Sequence, residues 1–313
     1  MSRRLTLLNM GLRAIAKTYL RRVTDPLAAR RQFERDAQLL FRTPPGALFL
    51  PDRLTPTLSA SWVSAGPVRL RPVVLYLHGG AYVAGSARTH RAMLARLSRL
   101  AGVRACLPNY RLAPEAPFPA AFEDAEAAYL ALIARGYAPR DIVIGGDSAG
   151  GGLALALIGA LCRAGTPPRA GFVFSPWSDL DLRSPSLREN AASDPILPVE
   201  RITELRDIYL AGGAPTDVRA SPVYAAFPSC PPVQIQASDS EILRDDARRM
   251  ARHLIREGAD VSLQTWPDTP HVWQMFDGWI PEARQALQLT ADFLRAVLGE
   301  DQATGLVNRS GDS

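Results

Sequence analysis

The stretch DIVIGGDSAGGGLALALIG, residues 141–159, decides how the chain is read. Its opening, residues 142–144, is the β-branched apolar run of a short buried strand, and its close repeats Ala and Leu as a buried helix does. Between the two, glycines surround a single serine in Gly146-Asp147-Ser148-Ala149-Gly150. A plain glycine-rich turn would account for the spacing, which arises by chance in roughly one chain of this length in ten. The position at a strand-to-helix join carries more weight. A serine there projects from a sharp elbow, and flanking glycines let the helix pass close to the strand. The helix N-terminus adds oriented N–H groups and partial positive charge. These are the conditions a nucleophilic hydroxyl needs.

Working outward, PVVLYLHGG (72–80) is a second buried-strand signal, stopped by glycines. Further strand signals lie at 103–107, 170–177, 233–238 and 261–266. Helical patterns lie at 88–101, 119–135, after Gly150, at 242–256 and at 282–297. Strands alternating with helices predict an α/β fold, a mostly parallel central sheet covered on both faces. Residues 1–45 read as amphipathic helix ending before Pro44-Pro45, and between 48 and 70 prolines alternate with short β-like pieces. Residues 180–228 interrupt the alternation with prolines, polar clusters and one helix in VERITELRDIYLAGG, a long insertion of the kind that covers a site. Residues 299–313 read as a polar, flexible tail.

Composition narrows the class. The 313 residues, 47% hydrophobic and 21% charged, fit one globular α/β unit with a large core. The formal charge is +5, but Lys17 is the only lysine and the arginines are scattered. No basic stripe or base-stacking motif accompanies them, which argues against nucleic acid. Cys106, Cys162 and Cys230 have no metal-like spacing and read as small buried hydrophobes, compatible with a reducing, cytoplasmic setting. The N-terminal segment has no long apolar core or cleavage site, and no stretch is long enough to span a membrane.

A serine nucleophile needs a base, an orienting acid and donors for the oxyanion. His78-Gly79-Gly80-Ala81-Tyr82 follows the strand at 72–77, where backbone N–H groups in a Gly-Gly loop can meet a developing negative oxygen with that of Ala149. Of the four histidines, His253 lies in an Arg-rich amphipathic helix and reads as solvated, and His90 opens a helix as a surface or capping residue. His78 reads as a brace for the loop. His271, in DTPHVWQMF after the last strand, stands where a base can reach Ser148. After the strand at 233–238, SDSEILRDDARR offers Asp239 and Glu241 at the strand end; Asp245 and Asp246 fall in the next helix and read as solvent-facing or capping. The order serine, acid, histidine is that of an α/β-hydrolase sheet.

These features resemble the hormone-sensitive-lipase-like family of α/β-hydrolases, the bacterial carboxylesterases. The likeness rests on HGGAYVAGS (78–86), NYRLAPEAPFPAAFED (109–124), GDSAGGGLA (146–154), SPWSDL (175–180) and PHVWQMF (270–276), and covers roughly residues 70–295. It implies an α/β-hydrolase fold and acyl transfer by Ser148 and His271 without a metal or organic cofactor. The oxyanion would be held by Gly79, Gly80 and Ala149, with Ala81 as a further contributor. The family's acid motif, Asp-Pro-Leu-x-Asp, aligns with Glu241-Ile242-Leu243-Arg244-Asp245 and so favours Glu241 over Asp239. Tyr110, Arg111 and Glu115 would be scaffold behind the oxyanion hole.

The resemblance also implies a helical cap from residues 1–50 and 180–220 over a catalytic domain at 51–298. Substrates would be small esters with short or medium acyl chains, and the chain could pair as a homodimer. A lactone hydrolase or a deacetylase of a secondary metabolite would keep the same triad. The amphipathic N-terminal helix permits a lipase. A non-catalytic receptor on this fold would lack the histidine.

Overall fold

A computed structural model describes residues 2–299. Eight strands form one sheet: β1 Ala47–Arg53, β2 Ser59–Ala65, β3 Arg69–Leu77, β4 Val103–Pro108, β5 Ile142–Asp147, β6 Ala170–Phe174, β7 Val233–Ser238 and β8 Val261–Trp266. Their order is β1-β2-β4-β3-β5-β6-β7-β8, antiparallel at the β1/β2 and β2/β4 pairs and parallel elsewhere. The helices are α1 Arg3–Gly11, α2 Thr18–Arg22, α3 Pro26–Leu40, α4 Ala87–Ala101, α5 Ala120–Ala134, α6 Ser148–Arg163, α7 Ser186–Glu189, α8 Ile202–Leu210, α9 Arg244–Arg256 and α10 Pro281–Leu298. A π turn, Leu12–Lys17, joins α1 to α2.

Strand period decides which helix covers which face. In β3, Val73, Leu75 and Leu77 enter the core beneath α5, α6 and α9, while Val74 and Tyr76 enter the opposite core beneath α4 and α10. Both faces are thus apolar, as parallel strands feeding crossover helices require. The prolines between 48 and 70 obscure a regular hairpin, in which β1 and β2 pair from Ala47↔Ala65 to Arg53↔Ser59. Cys106 and Cys162 are buried and Cys230 is partly so. The 180–228 insertion contains α7 and α8, the latter shorter than the pattern in VERITELRDIYLAGG predicts. Of the expected tail, residues 300–313 lie outside the described residues.

Parallel pairing brings the chemically informative segments to one rim. β3 and β5 are neighbours with Leu77 opposite Gly146, so the loop after β3 meets the turn after β5. β7 and β8 run alongside, and their ends deliver the 239–245 and 267–276 segments to the same edge. Ligand sites of open α/β sheets lie at this carboxyl edge.

Candidate active site

Ser148 begins α6 with φ +53°, a left-handed conformation that costs a non-glycine residue free energy and marks a sharp strand-to-helix elbow. The flanking glycines are there for space. A Cβ at Gly146 would sit 2.3 Å from the Gly150 carbonyl oxygen, and one at Gly150 would sit 2.2 Å from those of Leu77 and His78. Only hydrogen fits where α6 is pressed against the end of β3.

At the β7 end, Glu241 is fully buried and its Oε2 lies 2.5 Å from His271 Nδ1. Its other oxygen accepts the Ser238 N–H at 2.8 Å, and Asn190 Nδ2 donates to the Glu241 carbonyl at 2.8 Å. Asp194 Oδ2 accepts the next N–H, that of Ile242, at 2.9 Å. Asp239 is partly exposed, and its carboxylate pairs with Arg248 at 2.8 Å instead of approaching the imidazole. Burial pulls the His271 pKa down, but the hydrogen bond and charge of Glu241 outweigh it and leave the imidazole above its ordinary value. With Nδ1–H donating to the carboxylate, Nε2 is the nitrogen free to take a proton. It is buried and has no hydrogen-bond partner among the described residues, so no hydrogen bond joins it to Ser148. In unliganded hydrolases that contact is commonly long and tightens with substrate.

The loop after β3 departs from expectation at Gly79. Its N–H donates to Asp147 Oδ1 at 3.0 Å, so this amide is already engaged and does not face the site. Gly80 and Ala81 follow with φ +125° and +53°, and their N–H groups have no acceptor among the described residues. Ala149, in the first turn of α6, has no helical acceptor four residues back. The three amides available to an oxyanion are therefore those of Gly80, Ala81 and Ala149. The positive φ at Ala81 would favour glycine, but the donor is backbone, so the methyl group does not remove it.

Behind this loop lies a buried network that the sequence reading missed. Asp147 Oδ1 also accepts the Tyr76 hydroxyl at 2.8 Å, and His90 Nε2 lies 3.2 Å from Oδ2. Burial opposes ionisation of Asp147, yet His90 and the Tyr76 hydrogen bond hold its carboxyl below the usual range. His90 is thus a fully buried partner and no surface cap, because its helix turns that face onto β3 and β5. His78 does brace the loop: its Nδ1 donates to the Gly79 carbonyl at 2.9 Å and its ring stacks on Tyr110 at 4.2 Å. Burial pushes its pKa down to about 3, so it stays neutral.

Tyr110 donates to the His78 carbonyl at 2.6 Å, Arg111 pairs with Asp124, and Glu115 pairs with Arg30 of α3, all scaffold contacts. His253 is half-buried, with Nε2 donating to the Ala225 carbonyl at 2.6 Å. Asp246, expected to face solvent or cap its helix, is instead buried and accepts the N–H groups of Ser178 and Asp179, each at 2.9 Å. Asp245 does bind a loop N–H, that of Ser186, at 3.0 Å. The signal for Asp147 lay inside the quoted motif itself. Nothing local distinguished His90 or Asp246, whose partners are distant in sequence.

An eight-stranded sheet with a serine elbow and a buried acid–imidazole pair at its carboxyl edge defines an α/β-hydrolase, and residues 74–275 match that fold family. The chain belongs to the α/β-hydrolase fold family. It is 40% identical to a solved esterase of the bacterial hormone-sensitive lipase family, with a TM-score of 0.90 over 96% of this chain and 99% of that one. It is 39% identical to an acetyl-hydrolase of Streptomyces hygroscopicus, over 77% of this chain and 81% of the relative. An ethyl acetate hydrolase of Pseudomonas putida is 31% identical over 85% and 89%. Within this company the chain is a carboxylic-ester hydrolase.

Proposed function

We propose that the chain hydrolyses small esters of short acyl chains in two acyl-transfer steps carried by Ser148, His271 and Glu241. His271 Nε2 takes the Ser148 proton as Oγ attacks the ester carbonyl, and Glu241 stabilises the imidazolium that forms. The N–H groups of Gly80, Ala81 and Ala149 hold the oxyanion, each worth about 3–4 kcal/mol in the transition state. His271 then protonates the leaving alcohol, and activates water to release the acid and restore Ser148. The observation that carries this reading is the Glu241–His271 pair at the sheet edge that also holds the elbow. Relatives named for acetyl and ethyl acetate hydrolysis support the short-acyl preference. The helices before residue 50 and those at 180–220 serve as the cap, and the open edge of β8 supports a homodimer. Hydrolysis of p-nitrophenyl esters of graded length tests the proposal. Turnover should peak at about two to four acyl carbons, and Ser148→Ala should remove it. Turnover undiminished in Ser148→Ala would overturn the assignment.

A further inference from the structure

The first 24 residues contain six basic residues' worth of Arg and Lys positions (Arg3, Arg4, Arg13, Lys17, Arg21, Arg22) and no Asp or Glu. Their helix divides these charges between two faces. The inner face is anchored: Leu5 is buried, and Lys17 is buried with its ammonium donating to the carbonyls of Ala191 and Asp194 at 2.8 and 2.6 Å. Arg13 donates to the carbonyls of Ala192 and Ser193, and Asn9 to that of Asp268 at 2.7 Å. The helix is thus laid across residues 191–194 of the insertion, where Asp194 holds the Ile242 N–H, and against Asp268 in the segment that carries His271.

The outer face is unpartnered and apolar along its middle. Leu7, Met10 and Ile15 are 67%, 62% and 75% exposed. Ile15 lies in the π turn, Leu12–Lys17, that joins α1 to α2. Arg3 and Arg4 stand at one end of this stripe and Arg22 at the other, and among the described residues none of the three makes an ion pair. Arg3 and Arg4 also line an open cleft of about 450 Å³ beside the partly exposed ring of Trp279 and beside Arg284, which is paired with Asp277.

From this arrangement we infer that residues 3–22 dock the enzyme on an anionic phospholipid surface. An apolar stripe flanked by arginines, in a segment that has no acidic residue of its own between 3 and 22, is the pattern of a helix that lies in the plane of a lipid interface. Leu7, Met10 and Ile15 would enter the acyl boundary while Arg3, Arg4 and Arg22 meet phosphates, and an exposed tryptophan suits the headgroup level. A second copy of this chain would set the same arginines against each other across a symmetric contact, which charge disfavours. Among the described residues no helix is long and apolar enough to cross a membrane, and surface docking requires none. Docked in this way, the enzyme presents the edge bearing its site to esters that partition into the interface.

Flotation of the full chain with vesicles tests this, with a readout independent of catalysis. Binding to phosphatidylcholine mixed with phosphatidylglycerol should exceed binding to phosphatidylcholine alone by roughly a hundredfold, since each of three arginines near an anionic surface contributes about fivefold. Added salt should weaken it. Arg3→Gln with Arg4→Gln should lower affinity about 25-fold. Leu7→Glu with Met10→Glu and Ile15→Glu should abolish binding while leaving the melting temperature unchanged. Failure to bind the anionic vesicles, equal binding to both compositions, or undiminished binding by the triple variant would overturn the inference. So would light scattering that shows a dimer converted to monomer by the triple variant, which would make the face a self-contact.

Discussion

Asp147 Oδ1 accepts the Gly79 N–H at 3.0 Å, so the residue before Ser148 holds the loop that carries the Gly80 and Ala81 amides. The contact joins the ends of β3 and β5 through one carboxylate, itself held by Tyr76 and His90. Asp147→Ala should lower kcat about 100-fold, the scale of a misplaced oxyanion donor, and change KM for short esters far less. Asp147→Asn keeps an oxygen for Gly79 and should recover much of the loss. Steady-state kinetics on p-nitrophenyl acetate compares the two, and equal losses in both would reject a positioning role.

Glu241→Gln should damage turnover by about 10⁴-fold, because an amide in place of the carboxylate favours the wrong imidazole tautomer. Asp239→Asn loses only a partly exposed pair with Arg248 and should stay within about twofold of wild type. If kcat ranks them in the opposite order, the acid has been misassigned.

The pH profile follows from His271, whose pKa stands above its ordinary value of 6.5. Only the neutral imidazole acts as base, so the acid limb of kcat/KM should fall above pH 6.5. In Glu241→Gln, losing the carboxylate lets burial dominate, and the limb should move to lower pH. A raised folded-state pKa also means that this pair's stabilising contribution is complete below pH 6.5 and is lost as pH rises through the folded value.

Asp246 offers a separate test. Burial, joined by the charge of Asp179, raises its pKa from 3.8 to about 7. The folded state therefore holds a proton that the unfolded state releases, and stability falls as pH rises across that window. Asp246→Asn mimics the protonated acid, keeping one oxygen for the two N–H groups. The melting temperature of this variant minus that of wild type should increase between pH 4 and 7 (about), and a flat difference would contradict the assignment.

Lys17→Met should destabilise the chain by about 1–3 kcal/mol, because the carbonyls of Ala191 and Asp194 lose their donor in a buried site. Thermal melting reads this directly. Lys17→Arg should not restore it, since a planar guanidinium is bulkier than the ammonium it replaces.

Much of this protein was legible in its linear order. Short strand signals marked the six strands from β3 to β8, and the G-x-S-x-G join singled out Ser148 because an elbow is made by residues adjacent in the chain. The β1/β2 hairpin was hidden because pairing partners up to 18 residues apart, Ala47 and Ala65, are specified by the whole sheet and not by local pattern. The same reason separates Glu241 from Asp239, two residues apart at one strand end. Which carboxylate turned inward depended on Ser238, Asn190 and Asp194 receiving the loop.

Residue type and spacing singled out a serine, a carboxylate pair and an imidazole as candidates and gave their order, since local backbone chemistry writes those signals. Tertiary packing alone decided that the Gly79 amide serves Asp147, that His90 is buried against it, and that Asp246 is shut away from water. A side chain's direction and hydration are set by neighbours that the chain brings in from elsewhere.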